Sequence, residues 1–200
     1  MFSDASFWII SIPIILLTIS IHEFSHAKVA DTLGDPTPRW AGRLSLNPLS
    51  HIDPIGLLML IIVRFGWAKP VPINQNNFKH PQAGMAIVGM AGPISNMLVA
   101  WVCSIFLKNI PWGPAGGDSL GYQILLFAVW INVALAIFNL IPIPPLDGSR
   151  VLHALLPFEQ AEAMDRIEPY GFFILIAILF FPATQNLLYN AIQTVVGLFL

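Results

Sequence analysis

Four long stretches without a charged side chain constrain this chain more than any other feature. Residues 83–107, 119–146 and 169–200 carry no Asp, Glu, Lys or Arg, and residues 5–21 carry none before Glu23 and Lys28 close the first stretch. A bilayer core takes about 20 apolar residues in a helix, so each stretch is able to cross. Of the 200 residues, 56% are apolar and 10% are charged, where a soluble domain carries about 25% charge. Too few polar groups remain to coat a globule in water. Nine Lys/Arg against eleven Asp/Glu leave no basic face for nucleic acid. The sequence therefore reads as an all-α polytopic membrane protein, multi-pass in a cell membrane. Its spans fall near 6–30, 83–107, 121–143 and 170–190, in one membrane-embedded unit over residues 1–200. The first span lacks the basic start and small-residue cleavage site of a signal peptide and is read as a retained helix.

Residues 34–80, rich in Pro, Gly and Asn, contain a single apolar run from 55 to 63 that ends at Arg64. Nine helical residues rise only about 14 Å, so this run should be re-entrant or interfacial. Patches at 43–46 and 71–73 resemble strands, and Pro70 and Pro72 restrict the second to a sheet edge. Pro182 makes the last tract either one kinked helix or a span followed by an interfacial helix over 187–200. Residues 28–79 hold Lys28, Arg39, Arg43, Arg64, Lys69 and Lys79, whereas the first 27 residues hold no Lys or Arg. The positive-inside bias places this loop in the cytoplasm and the N-terminus outside.

Ionisable groups inside a membrane are costly and usually functional. His22-Glu23-Phe24-Ser25-His26 lies near the cytoplasmic end of the first span. On a helix, His22 and His26 share a face and can present ring nitrogens to one ion, while Glu23 sits about 100° round, close to the ion without ligating it. Cys103 is the only cysteine, so thiolate zinc sites are excluded and any metal is held by His, Asp or Glu. A catalytic zinc takes three protein ligands plus water. The third is an Asp, His51, His153 or a distant Glu. Asp147 is the strongest candidate, because it follows the third span at the same face, in a Pro142-Ile143-Pro144-Pro145-Leu146-Asp147-Gly148 turn that cannot be regular helix. Its bland alternative is a helix N-cap. Asp53 is the rival, but Asp53-Pro54 reads better as a helix start. Asn96 and Asn139 are polar within spans, where Asn bonds between helices or lies near substrate.

In this order, His22-Glu23-Phe24-Ser25-His26, Gly66-Trp67-Ala68-Lys69-Pro70-Val71-Pro72, Ala91-Gly92-Pro93-Ile94-Ser95-Asn96 and the 139–148 stretch make the chain resemble the site-2 proteases, intramembrane zinc metalloproteases. The resemblance is to compact prokaryotic members without a PDZ or nucleotide-sensing domain. It implies a three-helix catalytic core and a small membrane-associated β element around 69–74. His22, His26 and Asp147 would be zinc ligands, Glu23 the catalytic acid/base, and Asn139, Val71, Ile73 and Asn74 near the substrate. The expected activity is zinc-dependent endopeptidase cleavage in or beside a transmembrane segment of a protein substrate within the lipid bilayer, with a homo-oligomer left open. The alternative from another class is a metal-ion transporter using the same His/Asp cluster.

Overall fold

The computed structural model describes residues 4–63, 66–112 and 119–200. The charge-free stretches become long helices. α1 runs Asp4–Thr32, and a short turn, α2 (Thr37–Trp40), follows. The apolar run after it forms α3 (Pro54–Val63), ten residues long and too short to cross. Arg64, expected to end it, lies outside the described residues. Asp53 starts α3 as expected, its carboxylate accepting from the Ile55 and Gly56 main-chain N–H groups at 2.9 Å. α4 (Pro81–Asn109) and α5 (Leu120–Asn139) are the next long helices. Ser119 caps α5 by accepting from the Tyr122 N–H.

Among the described residues, three helices are long and apolar enough to cross a membrane: Trp8–Thr32, Pro81–Asn109 and Leu120–Asn139. They are α1, α4 and α5, and each packs on the other two. Small side chains let these backbones approach, as helices in lipid require. Ala100 of α4 and Val129 and Val133 of α5 are fully buried, while Leu98, Trp101 and Ile105 of α4 face outward.

Beyond α5 the chain turns through its prolines into α6 (Asp147–Leu155), which lies on α4. α7 (Phe158–Ile167) and α8 (Gly171–Leu179) follow, then α9 (Pro182–Phe199), which packs on α5. The expected helix over 170–190 is not one helix. The 158–179 and 182–199 segments meet at an 85° bend, because Pro182 cannot continue α8 and instead begins a new helix at its first position.

The expected β element is also corrected. Among the described residues there is no strand, only an isolated antiparallel bridge between Ile52 and Ala68. Pro70 and Pro72 have no N–H to give a ladder. Side chains take other groups a ladder would have used: the Arg43 guanidinium donates to the Ser50 and Lys69 carbonyls, and Asp35 accepts the Asn74 N–H at 2.8 Å.

Candidate metal centre

Two imidazoles one helical turn apart on α1 meet the first residue of α6. His22 Nε2 lies 3.0 Å and His26 Nε2 3.2 Å from the same Asp147 oxygen, Oδ2. All three residues are buried, and their ligand atoms lie within 4.8 Å of one another. The rings stand nearly perpendicular, at 81°. Each ring's other nitrogen is already engaged: His26 Nδ1 is 2.7 Å from the Val88 carbonyl and His22 Nδ1 2.7 Å from Asn96 Oδ1. A carbonyl only accepts, so His26 carries its proton on Nδ1 and turns a lone pair inward from Nε2.

Asp147 reaches this place because the turn before it is tight. A Cβ on Gly148 would stand 2.2 Å from the Leu140 carbonyl oxygen, so only glycine lets α6 start against the end of α5. Asp147 is not the helix cap that a plainer reading allowed, since Leu146 occupies that position.

The donors fit zinc. Two imidazole nitrogens and a carboxylate, with no thiolate, are the ligand types of a catalytic zinc site. The cradle also has no spare room on the α4 side: a Cβ on Gly92 would sit 2.5 Å from His22 Cε1 and from His26 Nε2. Nδ1 partners of this kind are those that fix ligating histidines elsewhere.

Glu23 lies one residue beyond His22 and, with it, lines a cavity of about 410 Å³. Trp67, Phe138, Phe172 and Leu175 give that cavity apolar walls, and Asn139 lines it too. The remaining sequence candidates fall elsewhere. Asp53 caps α3, and buried His51 bonds through Nε2 to the Ser45 carbonyl. His153, another of the possible third ligands, pairs with Asp165 at 3.1 Å. Ile73 packs beside Ala30, Phe78 and Val88, Val71 is buried, and Asn74 caps a short 3-10 turn. None of Val71, Ile73 and Asn74 lines the cavity; Gly66, Trp67, Ala68 and Pro70 of the adjoining segment do.

The candidate zinc metalloprotease YwhC of Bacillus subtilis (strain 168) is 34% identical over 186 residues, which cover 88% of this chain and 82% of YwhC. The chain belongs to peptidase family M50. The family's own sequence pattern matches residues 117–182 of this M50 peptidase. The candidate zinc metalloprotease Rip2 of Mycolicibacterium smegmatis (strain ATCC 700084 / mc(2)155) is 32% identical to it over 177 residues, 86% of this chain and 66% of Rip2. Zinc metalloprotease MJ0392 of Methanocaldococcus jannaschii is 26% identical over 158 residues, 77% of this chain and 36% of that protein. No solved structure matches the chain. M50 is the site-2 protease family, so this member is a zinc-dependent metalloendopeptidase and a multi-pass membrane protein. Membership displaces the transporter reading.

Proposed function

We propose that this M50 peptidase cleaves peptide bonds in or beside a transmembrane segment of a protein substrate, with His22, His26 and Asp147 holding zinc and Glu23 as acid/base. The observation that carries this reading is the shared position of Glu23 and His22 on the cavity wall, with His26 and Asp147 gathered behind at His22 Nε2. Zinc held there would supply Lewis acidity, drawing the pKa of a water toward about 7 and polarising the scissile carbonyl. Glu23 takes a proton from the attacking water as its oxygen bonds to the carbonyl carbon. The C–N bond then breaks, and Glu23 gives the proton to the leaving amine. The apolar walls suit a hydrophobic substrate segment and exclude bulk water from it.

A helical substrate has its carbonyls bonded internally, so the target stretch unwinds before attack. Trp67, Ala68 and Pro70 lie along the cavity, and among the described residues the main-chain N–H groups of Val71 and Ile73 have no partner. The extended segment is read as pairing its backbone with the unwound peptide, and Asn139 as touching it from α5. The N-terminus faces outward and the centre lies toward the cytoplasm.

Purified protein with Glu23→Ala, His22→Ala or Val71→Pro, scored for bound zinc and for cleavage of a generic transmembrane substrate, tests these roles. Glu23→Ala should keep zinc and lose cleavage by about 10²–10⁴-fold, and His22→Ala should lose both. Val71→Pro should keep zinc and cleave more slowly. Wild-type cleavage by Glu23→Ala would refute the mechanism, and unchanged turnover in Val71→Pro would remove the edge.

A further inference from the structure

A chain of hydrogen-bonded side chains behind His22 crosses all three core helices. His22 Nδ1 faces Asn96 Oδ1 of α4 at 2.7 Å, and Asn96 Nδ2 donates to Asn132 Oδ1 of α5 at 3.0 Å. Asn132 Nδ2 donates back to Thr18 Oγ1 of α1 at 3.0 Å and to the Ala128 carbonyl at 2.9 Å. Thr18 is one turn before His22 on the same helix. Thr18, His22, Asn96 and Asn132 are all at most 5% exposed. Two carboxamides buried between apolar helices cost free energy unless every strong donor is satisfied, and here those donors form one directed chain.

The direction of that chain is fixed. His26 needs no help, because its Nδ1 meets a main-chain carbonyl, which can only accept. His22 instead meets a carboxamide, and a carboxamide turned over would offer N–H and demand the opposite tautomer. The Ala128 carbonyl removes the ambiguity two residues away. It obliges Asn132 to point Nδ2 toward it, which turns Asn132 Oδ1 to Asn96. Asn96 must then answer with Nδ2 and leave Oδ1 for His22. The His22 proton is thereby held on Nδ1 and the Nε2 lone pair is directed at the Asp147 side.

We propose that Asn96 is a positioning residue that locks His22 in its metal-ligating tautomer, and that Asn132, oriented by the Ala128 carbonyl and Thr18, sets which way Asn96 faces. This rests on the zinc reading of His22, His26 and Asp147. Losing such an outer partner of a ligating histidine lowers metal affinity by about 10–100-fold.

The test is zinc affinity of the purified full chain by chelator competition, beside the unfolding temperature of the zinc-free protein. Asn96→Leu should weaken zinc by about 10–100-fold. Asn96→Asp keeps an acceptor for His22 Nδ1–H, although it loses the donor to Asn132 Oδ1, and should bind zinc more tightly than Asn96→Leu. Asn132→Leu, which frees Asn96 to turn over, should weaken zinc less than Asn96→Leu does, and Thr18→Ser should behave as wild type. A role confined to packing would make Asn96→Leu and Asn96→Asp fail alike. That outcome, or wild-type affinity in Asn96→Leu, overturns the proposal. His22→Ala separates the two layers: if it binds zinc as wild type does, the zinc reading itself fails. If it loses zinc while Asn96→Leu keeps it, only the relay fails.

Discussion

Around the candidate metal centre, the side chain that is missing matters as much as those present. Gly92 lets α4 lie against both imidazoles, and a Cβ there would come within 2.6 Å of His22 Nε2 as well as His26 Nε2. Gly92→Ala should therefore purify with zinc well below one ion per chain while its helical circular dichroism stays at the wild-type level. Full zinc occupancy would show that the rings can move aside. The His pair was legible in the sequence because an i, i+4 spacing fixes a shared face whatever the rest of the fold does. Asp147 was legible more weakly, from its place at the end of a span. Asn132 and Thr18 were not, because their meaning depends on which faces of three helices come together, and no single helix's pattern contains that. A signal existed: Asn132, like Asn96, is an amide in the middle of an apolar span.

At the scale of elements, the segment between α1 and α4 is held by polar side chains where a sheet was expected. Asp35, fully buried, accepts from Thr37 Oγ1 at 2.5 Å, Asn77 Nδ2 at 2.7 Å and the Asn74 N–H at 2.8 Å. Burial raises its carboxyl, but these bonds, with one from the Thr37 N–H, outweigh it and leave the group below its ordinary range. The folded protein thus prefers the ionised form. Its contribution is complete above the ordinary carboxylate range and is lost as the pH falls through the lowered folded value. Asp35→Asn should cost about 1–3 kcal/mol at neutral pH and flatten the acid limb of a denaturation series in detergent. Identical acid limbs for variant and wild type would refute the anchor. Strand propensity misled here because alternation at 71–73 says nothing about donors. Pro70 and Pro72 have no N–H to give a ladder, and the buried Asp35 carboxylate takes that of Asn74.

For the whole molecule, the absence of charge led to four expected spans; among the described residues three are single helices long and apolar enough to cross, and the fourth is bent by 85° before Pro182, one of two outcomes the sequence allowed. The direction of crossing rests on the Lys/Arg bias. With Cys103→Ala as background, a cysteine replacing exposed Lys79 should react with a membrane-impermeant thiol reagent only after cells are opened, and one replacing exposed Lys108 should react in intact cells. The reverse pattern would invert the orientation.

The separation of 125 residues between His22 and Asp147 also has a meaning in time. At about 5–20 residues per second of synthesis, the carboxylate leaves the ribosome roughly 6–25 s after the imidazoles. On the ligand set proposed above, the nascent chain therefore carries His22 and His26 for that interval without the carboxylate that completes the centre.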